Sequence, residues 1–538
     1  MQSGSRTKVA VLMLVAAAFL AASGSWPAGA APVRQVLRVN LDGGEPASLD
    51  PPLIDNRAAG TVSKQLFEGL VRLDKDGKVI PGVAERWQVS PDGRVYTFNL
   101  RRNARWSNGD PVTAGDFVYS YIRALGPRFG APLVDNLFFI ASAEDFNGGK
   151  VTDAAQVGIK AVDDFTLEIR LHTPAAFFLS LLSFFSMMPV NPRADRANPR
   201  WKNEAATFVS NGPFRLAQWV HEQRIVLEPN PNYWARDKVR LESIEFTLVT
   251  SRTTAYQMFQ TGQSDIIDPP TELNARLIAE KRAIIKPQAR TYFVRFNNKV
   301  SPFTNVNIRK ALSLAINREA YTKRVLQGGQ ISLRGFIPHG LSSGTGDFRK
   351  QAGDLYKDGD VVRAREHLQS GLRELGLSSF PQVTMRASAR EDTRRIAEFV
   401  QAQWRQALRI QVTIEVMEQR AFVAAVRAKD YVVAPFSTGA DYDDAANLMG
   451  QFKTGDFFNF TQYSNPEYDR LITAADRETN PQRRTQLMID AEKILIQQDM
   501  AIAPMYTNTV VVLQNPKLKN VFRYVVFEDD YREAFFEP

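Results

Sequence analysis

The chain has 538 residues, contains no cysteine and carries a formal net charge of +9. This length allows several domains, and the lack of cysteine excludes disulfide bonds, thiolate metal sites and thiol nucleophiles. Basic residues alternate with acidic ones along the whole chain and form no long basic block, so we expect no nucleic-acid partner.

The N-terminus has the pattern of a secretory signal. Arg6 and Lys8 precede an apolar stretch over residues 9–22, and Ala28 and Ala30 form a small-x-small cleavage pattern. The apolar stretch is short against the roughly 20 residues that a membrane helix needs. We therefore expect export, with cleavage after Ala30.

Strand and helix patterns alternate after the signal, which favours a mixed α/β fold. The first strand is predicted over residues 36–41 and the first helix over 60–69. An Asp-Gly turn ending at Gly77 predicts a hairpin. The apolar run 175–188 predicts a buried helix.

The second half of the chain is richer in helix patterns than the first. A strand predicted over residues 291–296 is followed by helices over 305–316, 360–375, 391–407 and 483–498. We expect the chain to pass from one domain to another near Arg290.

The segment 437–444 is the main candidate for a site. A predicted strand over 431–436 precedes it, and a predicted helix begins at Ala445. Because ligands bind at the carboxyl ends of strands in open α/β sheets, Asp441 could hold a cation there. A turn or helix-capping role is the alternative, and Asp443 or Asp444 could supply the cap.

Motifs of known enzyme classes are absent from the sequence. There is no phosphate-binding glycine loop and no Gly-x-Ser-x-Gly, and the four histidines are scattered. We therefore expect no metal site, no cofactor and no serine–histidine triad. A hydrolase that uses the clustered acids Asp441, Asp443 and Asp444 stays open as the minor alternative to a binding protein.

Ordered motifs over nearly all of the expected mature chain resemble the solute-binding proteins of peptide ABC transporters, family 5, and their oligopeptide-binding branch in particular. They include the segment Trp-Ser-Asn-Gly-Asp-Pro-Val-Thr and the triplet Ala-Asp-Tyr. The matching segments are residues 48–51, 66–70, 81–85, 106–119, 211–214, 232–234, 296–298, 302–312, 440–442, 463–469 and 502–506.

The resemblance implies a bilobal, type II-like, cluster C fold that closes on its ligand about a hinge. The first lobe is expected to contain an extra domain, and the crossings near Arg290 and Tyr506 are expected to form the hinge. The implied segments are a signal peptide at 1–30, the first lobe at 31–67, 191–293 and 508–538, the extra domain at 68–190, and the second lobe at 294–507.

The resemblance also implies a ligand and partners. The ligand would be a peptide whose α-amino group pairs with Asp441, and the partner an inner-membrane ABC permease, with the protein a periplasmic monomer and not an enzyme. The further ligand-binding residues that we expect are Thr438, Gly439, Ala440, Tyr442, Asp55, Asn56 and Asp268.

Several departures from the family pattern leave the ligand open. Thr438 stands where the family commonly has tryptophan, Leu133 replaces a tyrosine that contacts ligand, and Pro435 stands where an arginine is expected. The same fold could bind an oligosaccharide, an opine or a metal complex, although few histidines weaken the last.

Overall fold

A computed structural model describes residues 34–54, 56–526 and 528–538. The expected signal peptide and Asp55 lie outside the described residues. Within these ranges, no helix combines the length and apolar character that a membrane crossing requires.

The described chain alternates between strands and helices, as expected. The strands are β1 Val36–Asn40, β2 Val71–Leu73, β3 Val79–Pro81, β4 Ala84–Val89, β5 Val95–Leu100, β6 Ile159–Asp163, β7 Thr166–Arg170, β8 Phe214–Val220, β9 Arg224–Pro229, β10 Ser243–Thr247, β11 Ile266–Ile267, β12 Ile284–Phe296, β13 Ile331–Ser332, β14 Val383–Ser388, β15 Val412–Met417, β16 Val433–Gly439, β17 Ile502–Gln514, β18 Leu518–Lys519 and β19 Phe535–Phe536. The longer helices are α1 Arg57–Leu66, α2 Ala114–Ala124, α3 Arg252–Gln260, α4 Val306–Leu314, α5 Val361–Glu374, α6 Glu391–Leu408, α7 Gln419–Arg427, α8 Pro466–Arg477 and α9 Pro481–Glu492.

Shorter helical segments connect these elements. The short α-helices are Ala143–Asn147, Phe178–Leu181, Pro192–Ala197, Asn274–Ala279, Arg318–Ala320, Phe348–Ala352 and Ala445–Met449. The 3₁₀ turns are Pro51–Leu53, Val134–Leu137, Ala154–Gln156, Phe185–Met187, Trp201–Asn203, Ala205–Thr207, Arg236–Lys238, Thr271–Leu273 and Gly450–Phe452, and the π-helical turns are Tyr321–Leu326 and Lys493–Gln498.

Two long antiparallel strands join two sheets into one. The strand order is β15-β14-β16-β12-β17-β11-β1-β10-β9-β8, with β13 also paired to β17. The first half of β12 pairs with the second half of β17 beside β11, whereas its second half lies between β16 and β17. Arg290 and Tyr506, the expected crossing points, lie on these two strands.

The strands β4, β5, β7 and β6 form a separate antiparallel sheet. Its inward residues, such as Phe98 and Ile169, belong to the same buried core as Leu37 and Phe246 of the first large sheet. Two other buried cores contain residues from the second large sheet, with Val294 in one and Phe293 in the other. Neighbouring side chains of a strand point to opposite faces, which explains this separation.

Most local predictions are confirmed, including the hairpin at Gly77 and the strand, loop and helix around Asp441. The continuous helix expected over 175–188 is wrong. The run forms a four-residue helix, Phe178–Leu181, and a 3₁₀ turn, although Phe178, Leu181 and Met187 are buried. The Ser183 hydroxyl donates to the Ser180 carbonyl oxygen at 2.7 Å, and side-chain bonds of this kind compete with the helical ladder.

Candidate functional site

The loop after β16 is held by backbone contacts on both sides. Gly439 ends the strand opposite Arg290 of β12. The amide of Ala440 donates to the carbonyl oxygen of Ala289 at 2.8 Å, and the amide of Asp441 donates to Oδ1 of Asn447 at 3.0 Å. These bonds fix the backbone of Asp441, and no side-chain hydrogen bond of its carboxylate is found within the described residues.

The neighbouring acids have structural roles. Oδ1 of Asp444 accepts from the amide of Ala446 at 2.9 Å and caps the short helix. The same carboxylate forms a buried ion pair with Arg484, with distances of 2.7 and 2.8 Å. Asp443 accepts from the amide of Ser342 at 2.8 Å. The capping alternative therefore applies to Asp444 and leaves Asp441 free.

Asp441 faces a cavity of about 500 Å³ between the second lobe and the segments around Asp135 and Phe177. It forms no ion pair with any residue in the described ranges. Asp441 is open to solvent on one side. Desolvation by the cavity walls and, to a smaller extent, the nearby Asp135 raise the pKa of its carboxyl, Arg290 lowers it, and the resulting pKa is about 6. Such a carboxylate favours a bound cation, because a cation restores the electrostatic stabilisation that water supplies elsewhere.

The other expected residues of this loop contribute unequally. Thr438 and Gly439 line the same cavity, and Thr438 Oγ1 donates to Oε1 of Gln451 at 3.0 Å. The ring of Tyr442 is buried and stacks on Phe177 with 4.3 Å between ring centroids. Tyr442 therefore packs the loop against Phe177 on the opposite wall of the cavity, and little of its ring is exposed to the cavity.

The expected residues of the first lobe form a separate group. Asn56 caps α1 by accepting from the amide of Ala59 at 3.0 Å. Asp268 pairs with Arg57 at 3.0 Å in another cavity, of about 180 Å³. Desolvation raises the pKa of Asp268, while Arg57 lowers it. The structure does not bring Asn56 and Asp268 into the cavity that holds Asp441.

Several residues of the Asp441 cavity were not predicted from the sequence. Asp135, Phe139 and Phe177 come from the first half of the chain, whereas Lys453 and Phe458 follow the loop. No spacing pattern connects the first three to Asp441, because about 300 residues of chain separate them from it. The resemblance directed attention only to the nearby Leu133.

The described residues contain no cluster of three or more metal-binding side chains with the geometry to hold a metal ion.

Comparisons with known proteins agree with this architecture. A family model described as bacterial extracellular solute-binding proteins, family 5 Middle, matches residues 78–460. The dipeptide-binding protein DppE of Bacillus subtilis is 38% identical over 501 residues, which cover 93% of this chain and 92% of that protein.

Two solved structures share the fold and bear on the arrangement of the lobes. The periplasmic murein tripeptide-binding protein MppA, in an unliganded open form, matches with a TM-score of 0.83 at 28% identity, covering 94% of this chain and 98% of that one. Listeria monocytogenes OppA bound to peptide matches with a TM-score of 0.70 at 31% identity, covering 94% and 100%. At similar coverage and identity, the TM-score is higher for the unliganded open form than for the peptide-bound structure.

Proposed function

Because the chain belongs to the bacterial extracellular solute-binding proteins of family 5, we propose that it captures oligopeptides between its lobes and delivers them to an ABC permease. The observation that carries this proposal is the unpaired carboxylate of Asp441 in an interlobe cavity. The relatives named above as binders of dipeptides and murein tripeptide support the choice of ligand.

Asp441 holds the α-amino group of the peptide in this proposal. An ammonium group that leaves water needs a counter-charge, and a charge-assisted hydrogen bond supplies both charge and direction. Its neighbours Thr438 and Gly439 lie at the end of an extended strand, beside which a peptide backbone can bind in an extended form. Ordered water then fills the space around differing side chains.

Closure uses β12 and β17 as the hinge. Each strand is shared by both large sheets, so bending near Arg290 and Tyr506 moves one lobe relative to the other without breaking the strand pairing within either sheet. We assign residues 31–67, 191–293 and 508–538 to the first lobe, 68–190 to its extra domain, and 294–507 to the second lobe. The extra domain keeps a continuous core with the first lobe.

The protein acts in the periplasm as a monomer after removal of residues 1–30. N-terminal sequencing of the exported protein tests this assignment. We expect the mature chain to begin at Ala31, because the small residues at 28 and 30 fit the cleavage pattern. A retained N-terminus would contradict the assignment.

Native mass spectrometry of the exported protein, followed by gentle denaturation, tests the ligand class. We expect the mass of a monomer with a set of short peptides. A single non-peptide mass would favour an oligosaccharide, an opine or a metal complex in the same fold. Turnover of the released peptide by the pure protein would favour a hydrolase, because a receptor returns its ligand unchanged.

A further inference from the structure

Two carboxylates from distant parts of the chain face the same cavity. Asp441 follows β16, and Asp135 lies on the turn Val134–Leu137 of the extra domain. Neither forms an ion pair with any residue that the structure describes. The α-amino group of one peptide can pair with Asp441, which leaves Asp135 without a counter-charge in the complex.

The cavity is acidic although the whole chain has a net charge of +9. Among the described residues, the lining has four carboxylates and one cationic side chain, Lys453, which lies 4.0 Å from Asp476, while Arg290 acts on Asp441 from beside the cavity. The four are Asp135, Asp441, Asp456 and Asp476. An acidic lining of this kind favours a ligand that carries a positive charge in addition to its α-amino group.

Aromatic rings form part of the cavity wall beside these carboxylates. Phe139 and Phe177 belong to the extra domain, and Phe458 lies on the opposite lobe with 55% of its surface exposed. An exposed phenylalanine at a cavity is suited to cover apolar ligand surface. The methylene stem of a lysine or arginine supplies such surface, and its cation is attracted to ring faces.

We propose that this cavity selects peptides whose first residue is lysine or arginine, with Asp135 pairing with the side-chain cation and the phenylalanines covering its stem. The inference rests on the proposed function, because it takes Asp441 as the partner of the α-amino group. Asp441 and Asp135 then bind two cations of one residue from opposite walls. Asp135 is a specificity-determining residue, and any peptide amine can still pair with Asp441.

Three tripeptides separate charge from apolar contact: Lys-Ala-Ala, norleucine-Ala-Ala and Ala-Ala-Ala. Calorimetric titration of the wild-type protein is expected to show the lysine peptide binding at least tenfold more tightly than the norleucine peptide. Asp135→Asn is expected to remove that preference, so that the lysine and norleucine peptides bind with similar affinities. Asp145→Asn, at an exposed carboxylate of the same domain, is the matched control and is expected to keep the preference.

Phe458→Ala tests the apolar contact with the cavity wall separately from the charge of Asp135. We expect it to weaken the norleucine peptide as well as the lysine peptide, because both present an apolar stem to the ring. Equal affinities of the wild-type protein for these two peptides would overturn the inference while leaving the proposed function intact. Failure of all three peptides to bind would overturn both.

Discussion

Asp441, Asp443 and Asp444 lie within four residues of each other but have three different environments. Asp444 is buried against Arg484, and its oxygen caps a helix. Asp443 accepts from one backbone amide, and desolvation raises its pKa to about 7. Asp441 alone combines an unused carboxylate with an interlobe cavity. The difference comes from what surrounds each carboxyl group.

Substitution of Asp441 by asparagine tests this distinction. The peptide ammonium would then lie in the cavity without a counter-charge, and loss of one partner of a buried pair costs about 3–5 kcal/mol. We expect peptide affinity in calorimetric titration to fall more than a hundredfold, with an unchanged circular dichroism spectrum. Asp145→Asn serves as the control. Unchanged affinity of Asp441→Asn would remove Asp441 from the site.

The pH dependence of affinity follows from the raised pKa of Asp441, about 6 in the free protein. Binding an ammonium group requires the ionised carboxylate, so affinity is expected to be highest above pH 6 and to fall as pH decreases below 6, by about tenfold per unit. Asp441→Asn is expected to lose this dependence.

Other charged groups face Asp441 in this experiment. They are Asp135, Arg290, Lys453, Asp456 and Asp476. Desolvation also raises the pKa of Asp476, which Lys453 lowers. Calorimetry between pH 4.5 and 7.5 in buffers of different ionisation enthalpy measures the number of protons released on binding. Comparison with Asp441→Asn distinguishes proton release by Asp441 from proton release by these other groups. An affinity that stays constant from pH 7 to 5 would contradict the expectation.

The strand, loop and short helix around Asp441 depend on a contact between elements. The carboxylate of Asp444 joins the short helix to Arg484 of α9, and both side chains are buried. Asparagine at position 444 keeps an oxygen that can cap the helix but removes the counter-charge of Arg484. We expect a loss of about 3–5 kcal/mol in the free energy of unfolding, measured by urea denaturation.

Asp430→Asn is the matched control for this loss. Asp430 pairs with Arg386 at 2.8 Å, but its side chain is 72% exposed. We expect a change below about 1 kcal/mol, as for other exposed pairs. Equal losses in the two variants would show that burial of the Asp444 pair adds nothing to stability.

Local elements were predictable from the sequence to the extent that local interactions determine them. The helix α2, for example, begins with a capping box formed by Thr113 and Asp116, which are three residues apart in sequence. The run 175–188 was mispredicted, because burial in the core does not require helix. The place of Asp441 after a strand was predictable, whereas its neighbour Asp135 was not, since only tertiary structure joins them.

At the scale of the whole molecule, the two lobes are expected to close around ligand. β12 and β17 connect the large sheets, and the unpaired carboxylate between the lobes favours closure once a cation is present. Small-angle X-ray scattering is expected to show a smaller radius of gyration with saturating peptide. Asp441→Asn at the same peptide concentration is expected to stay open. A wild-type radius that peptide leaves unchanged would contradict closure.

The most direct test compares Ala-Ala-Ala with its N-acetylated form in calorimetric titration at pH 7. Acetylation removes the positive charge and leaves the rest of the peptide intact. We expect the acetylated peptide to bind the wild-type protein at least a hundredfold more weakly, and Asp441→Asn to show little difference between the two peptides. Equal binding of both peptides by the wild-type protein would contradict the central claim that Asp441 holds the peptide amine.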